Sequence, residues 1–93
     1  MASKKNLKKD IEYLISDVVF DCYALMDEHP EKDFSAYEEI INDIIVVKED
    51  LVERINHFDP GVHGNSRNYF MAIKRDLITS ITEAYDNLTK LGA

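Results

Sequence analysis

A chain of 93 residues with a formal net charge of −7 and a single cysteine makes one domain with a modest core. The lone thiol excludes an intrachain disulfide framework. The acidic balance disfavours general binding to phosphate backbones.

The first predicted helix covers about residues 6–28. Leu7, Ile11, Leu14, Val18, Cys22 and Leu25 recur at steps of three and four, one face of an α-helix. Ile15, Val19 and Met26 widen that face. Asn6 is the expected start, because a cap at Ser3 puts Lys4 and Lys5 against the positive end of the helix dipole. The segment Glu28-His29-Pro30-Glu31-Lys32-Asp33 ends the helix, since the residue before a proline is pushed out of the α region.

The second helix is expected over about 35–58. Tyr37, Ile41, Ile44, Leu51, Ile55 and Phe58 carry its stripe, flanked by Ile40 and Val47. Ser35 followed three residues later by Glu38 matches a capping box. Asp59-Pro60-Gly61 ends the helix, and Gly61 and Gly64 permit positive φ in the loop. The third helix, about 66–91, follows a cap at Asn65 or Ser66. It repeats the spacing in Phe70, Ile73, Leu77, Ile81, Ala84, Leu88 and Leu91, and Gly92 suits its C-terminal cap. Sustained two-residue alternation, the strand signature, is missing.

Each helix is long enough to span roughly 35–40 Å at 1.5 Å per residue. Short connections make sequence neighbours antiparallel. The expected fold is all-α, an up-down-up three-helix bundle over residues 1–93, with offset apolar stripes through which dimerisation could complete it. No apolar run approaches a membrane span, and the N-terminal residues lack the apolar core of a signal peptide. A cytoplasmic protein is therefore expected. The sequon Asn87-Leu88-Thr89 falls on the third helix with Leu88 in its core stripe, and is read as chance.

Charge is unevenly spread. Residues 33–58 hold seven Asp/Glu and two Lys/Arg, a net of −5, whereas residues 59–93 hold four of each. Lys4, Lys5, Lys8 and Lys9 stand in the first nine residues without an acid. One reading is a basic arm for RNA, DNA or an acidic protein. The simpler one is a solvated terminus, because four lysines are too few for firm binding at cellular salt.

The opening Lys4-Lys5-Asn6-Leu7-Lys8-Lys9-Asp10-Ile11, the later Cys22 and the Asp59-Pro60-Gly61 turn resemble a family of small uncharacterised bacterial helical proteins. The resemblance extends along most of the chain and implies an all-helical cytoplasmic protein. It brings no activity and no catalytic residues.

Some residues interrupt the core pattern. Lys48 lies near the middle of the second helix's apolar face. A buried lysine costs several kcal/mol unless paired, so its stem is expected to pack while its ammonium reaches water or a carboxylate. Cys22 sits on a core stripe, where a thiol behaves as a small apolar group. Redox sensing needs exposure and a nearby cation. Glu53 and His57 share a helix face, and His63 lies in the adjoining loop. With a carboxylate these are the candidate ligands for zinc or another divalent ion, although no HExxH motif accompanies them. The chain has no Gly-rich phosphate loop and no acid–base constellation, so no enzyme and no cofactor are expected.

A second set of apolar residues has no place in a three-helix core. Met71, Ile78 and Tyr85 recur every seven residues, offset from the third helix's main stripe. Tyr13 and Phe20 are also seven apart, opposite the Leu7–Val18–Leu25 face of the first helix. Val46 stands alone among polar neighbours. Contiguous exposed apolar residues usually mark an interface. The expected role is protein–protein interaction or self-assembly, most simply as a two-fold dimer, or by docking a partner helix beside the third helix. The bland alternative is that the offset stripe only widens the contact with both neighbouring helices.

Overall fold

The computed structural model describes residues 4–30 and 33–92, and every element among them is a helix. These are α1 (Lys4–Glu28), α2 (Phe34–Asn56), α3 (Pro60–His63) and α4 (Ser66–Gly92). The three long helices lie close to the expected spans, and α3 is a single turn inside the loop between the last two. Ser3, Glu31 and Lys32, which entered the expected boundaries, lie outside the described residues.

The termini correct several expectations. α1 already includes Lys4 and Lys5, ahead of the expected start at Asn6. The Lys4 ammonium sits 5.8 Å from the centroid of the Phe58 ring, a cation–π contact that offsets its unfavourable place at the positive helix end. Asp33, not Ser35, caps α2. Its backbone is extended (φ −70°, ψ 114°), and its carboxylate accepts a 2.9 Å hydrogen bond from the Ser35 N–H. That bond holds the Asp33 carboxyl below its ordinary pKa. At α4 the Asn65 side chain is the cap, accepting from the Arg67 N–H at 2.8 Å.

The breaker Asp59-Pro60-Gly61 is itself a helix start. Asp59 accepts from the Gly61 N–H, Pro60 takes a first-turn position, and the Asp59 N–H donates to His63 Nδ1 at 2.9 Å. Of the two loop glycines only Gly64 uses positive φ (74°). There it ends α3, its N–H donating to the Pro60 carbonyl. Gly92 belongs to α4 itself and does not form the expected left-handed cap.

The core is contiguous. It buries Leu7, Ile11, Ile15, Val18 and Cys22 from α1, Tyr37 to Ile55 of the α2 stripe, and Ile73, Leu77, Ala84 and Leu88 from α4. The α1 face is turned slightly from the expected one: Ile15 is buried, whereas Leu14 lies at the edge beside α4. Phe58 falls beyond the end of α2 and closes one end of the molecule. Its ring centroid lies 4.9 Å from Tyr69 and 5.2 Å from Phe70, and it stacks on His63 at 5.9 Å.

Specific contacts set the register. Lys48 of α2 reaches Glu12 of α1 at 3.6 Å. Arg54 of α2 reaches Asp76 of α4 at 2.8 Å, and its carbonyl accepts a 2.7 Å bond from the Tyr69 hydroxyl. Between α1 and α4, Asp10, Tyr13 and Leu14 share a groove with Lys74, Leu77 and Ile78. One helical stretch further on, Tyr85 lies beside Asp21 and Asp17. The starts of α1 and α4 therefore sit at the same end of a molecule measuring 53 × 19 × 17 Å.

Candidate functional site

All five residues of the offset stripes are exposed: Tyr13, Phe20, Met71, Ile78 and Tyr85. Tyr13 and Phe20 are the extreme cases, at 72% and 75%. α1 and α4 adjoin along this side. Tyr13 and Ile78 line opposite walls of one groove of about 180 Å³, floored by Leu7 and Leu77 and edged by Asp10 and Lys74. Along the same seam the Tyr85 hydroxyl faces the Asp21 carboxylate. Burial first, and then the Asp21 and Asp17 charges, raise the pKa of this phenol above its ordinary value. Phe20 immediately precedes Asp21 on α1. Tyr13, Ile78 and Tyr85 thus lie along one seam between two helices, and Phe20 and Met71 are exposed on the same two helices.

The structure places the candidate metal ligands apart from that face. His57 Nδ1 donates to the Glu53 carbonyl at 2.9 Å, and His63 Nδ1 accepts from the Asp59 N–H. The His63 ring is stacked into the Phe58–Tyr69 cluster, 4.7 Å from the Tyr69 centroid. Glu53 and His57 line a shallow groove with Lys48, Glu49, Val52 and Asn56, without His63. Among the described residues no group of three His, Cys, Asp or Glu side chains is placed to hold a metal ion. The Lys48 ammonium stands with Glu12 at the surface, as expected. Cys22 is fully buried, and that burial, reinforced by the Asp21 charge, raises its pKa. Lys4, Lys5, Lys8 and Lys9 belong to α1, so the described part of the basic arm is helical.

No family model, curated protein or solved structure matches this chain. Its function is therefore argued from its own surface. Among the described residues no helix is long and apolar enough to cross a membrane.

Sequence reasoning passed over two features of this face. The first is the line of carboxylates Asp10, Asp17 and Asp21 on the α4 side of α1. Their spacing of seven and four signals one face. The second is which residues of α1 and α4 stand side by side: the expected up-down-up order makes these helices parallel, but it does not set Tyr13 across from Ile78. A further exposed set, Tyr23, Phe34 and Ile45, was also missed.

Proposed function

We propose that this chain is a small non-enzymatic interaction module of the cytoplasm. In this reading it is an up-down-up three-helix bundle that presents its α1/α4 face to another protein surface. The contacts Lys48–Glu12, Arg54–Asp76 and Tyr13 across from Ile78 support that topology.

The observation that carries the reading is the exposure of Tyr13, Phe20, Met71, Ile78 and Tyr85 in a chain whose core is contiguous without them. Had the offset stripe served only to widen contacts inside the bundle, these side chains would be covered. Single exposed apolar residues are ordinary, whereas a run of large ones on two adjoining helices marks a surface made to be covered.

A photo-crosslinking side chain placed at Phe20 or Ile78 in living cells tests this. Discrete adducts of defined mass are expected at both positions, and none at Asn42 on the exposed side of α2. If Phe20 and Ile78 give no more adduct than Asn42, the face is not an interaction surface.

A further inference from the structure

Charge is sorted along the two helices of this face with unusual strictness. In α1 all four cations, Lys4, Lys5, Lys8 and Lys9, lie in the first six residues. The six acids Asp10, Glu12, Asp17, Asp21, Asp27 and Glu28 follow with no Lys or Arg among them. In α4 Arg67, Lys74 and Arg75 precede every acid, and Asp76, Glu83 and Asp86 follow, with Lys90 the one later cation. Because the starts of α1 and α4 share one end of the molecule, the basic segments coincide and so do the acidic ones.

In α1 this order opposes the helix dipole. Cations belong near a C-terminus and anions near an N-terminus, each placement contributing about 0.3–1 kcal/mol. α1 has no acid in its first turn and no base in its last. The acids of the seam come from α1: among the described residues no ion pair involves Asp10, Asp17 or Asp21, whereas Glu12 is paired with Lys48, Asp76 with Arg54 and Asp86 with Lys90, and Glu83 stands in a groove beside α2. An arrangement that costs the isolated helix some stability is accounted for by a partner of opposite order.

We infer that the α1/α4 face binds a second copy of this chain, antiparallel about a two-fold axis, so that the basic end of each face meets the acidic end of the other. The inference rests on the reading of this face as an interaction surface. An isologous contact makes one face complementary to itself. Polarity along the helices supplies this, because rotation by a half turn sets Lys9, Arg67 and Lys74 against Asp21, Asp27 and Glu28 of the other copy. The axis passes near the middle of the apolar stripe, so Tyr13 approaches Phe20 of the second copy and Ile78 approaches its Tyr85. Size is sufficient. A face about 37 Å long and two helix diameters, about 20 Å, wide offers roughly 700 Å² per partner, close to a standard interface. A cationic amphipathic helix from another protein would satisfy the acidic half of this face but would meet like charge at Arg67 and Lys74.

The test is the mass of the full chain by light scattering during size-exclusion chromatography, for three proteins. The unaltered chain is expected at twice 10.7 kDa, shifting toward monomer as salt is raised. The variant Arg67→Glu/Lys74→Glu sets two acids among the cations of the basic end, and Asp21→Lys/Asp27→Lys sets two cations among the acids of the other end. Each is expected to keep its helicity and cooperative unfolding while its self-association weakens about a hundredfold or more, as like charges meet. Mixing the two variants restores a dimer, because each then presents the complement of the other. An unaltered chain that stays monomeric at the highest soluble concentration overturns the inference. So does a dimer that either double variant leaves intact, or a mixture that stays monomeric. A monomeric chain that still gives adducts to another protein from Phe20 and Ile78 removes the second copy but keeps the interaction surface. Loss of those adducts removes both.

Discussion

Arg54 of α2 is fastened to α4 at both of its ends: its guanidinium reaches Asp76 at 2.8 Å, and its carbonyl accepts the Tyr69 hydroxyl at 2.7 Å. The two bonds differ in kind. The ion pair is partly open to water, with the side chains 30% and 54% exposed, and a second carboxylate, Asp50, lies 3.9 Å away. A double-mutant cycle of Arg54→Ala and Asp76→Ala is expected to give a coupling of about 0.5 kcal/mol that fades in molar salt. Tyr69→Phe is expected to cost about 1 kcal/mol, largely independent of salt. Urea unfolding at low and high ionic strength separates them. Equal salt dependence for both would show that the pair does not act through its charge.

Tyr37 is the opposite case. Its ring is almost wholly buried at the start of α2, and among the described residues its hydroxyl meets no hydrogen-bond partner. An unsatisfied buried hydroxyl costs about 1–3 kcal/mol relative to the same group in water. Tyr37→Phe keeps the ring and removes the orphan. The midpoint of urea unfolding is expected to rise, by up to about 1 kcal/mol in stability, whereas Tyr37→Ala should lose about 3–5 kcal/mol through the cavity it leaves. A Phe variant less stable than the parent would show that the hydroxyl has a partner in solution.

The long helices were legible because a burial stripe of period 3.6 survives in the residues themselves. Leu7, Ile11, Val18 and Cys22 announce α1 whatever surrounds them. Helix ends were less legible. Asp33 and Ser35 are both competent caps, and the choice depends on whether Phe34 is drawn into the helix, which is a tertiary matter. α3 was hidden because four residues carry no periodicity, and its start signals Asp59 and Pro60 are also stop signals for α2. The same turn stacks His63 on Phe58, away from the groove of His57, a separation that proximity in sequence does not reveal. The exposed stripes could be read from their seven-residue spacing. Which of them meet could not, since the up-down-up order makes α1 and α4 parallel without setting Tyr13 across from Ile78 or Tyr85 beside Asp21.

Cys22 lies between Val18 and Leu25 on the α1 stripe, and burial first, then the Asp21 charge, raise its pKa above the ordinary thiol value. Thiolate is the reactive form. In the native protein its labelling by an aromatic disulfide reagent at pH 8 is expected to proceed only through opening of the bundle, and to accelerate steeply with sub-denaturing urea. Cys22→Ser should cost about 1–3 kcal/mol by placing a hydroxyl in an apolar site, with Cys22→Val better tolerated. Fast labelling without urea would place the thiol at the surface.

Tyr85 offers a pH-dependent signature of the α1/α4 seam. Its phenol is raised above the ordinary value by burial first and by Asp21 and Asp17 second. A group whose folded pKa exceeds its unfolded one lends stability that is fully present below the unfolded pKa, about 10, and is lost as pH rises through the folded value. Tyr85 is itself 36% exposed, so solvent screens the effect and its contribution to stability is small. The titration is the sharper readout. Ultraviolet absorbance at high pH is expected to show a late-ionising component that is lost in Tyr85→Phe and shifted down toward the ordinary value in Asp21→Asn. Because burial is the first cause, Asp21→Asn should remove only part of the shift. An Asp21→Asn protein with an unchanged late tyrosine would detach Tyr85 from α1, and with it the claim that the two apolar stripes form one face.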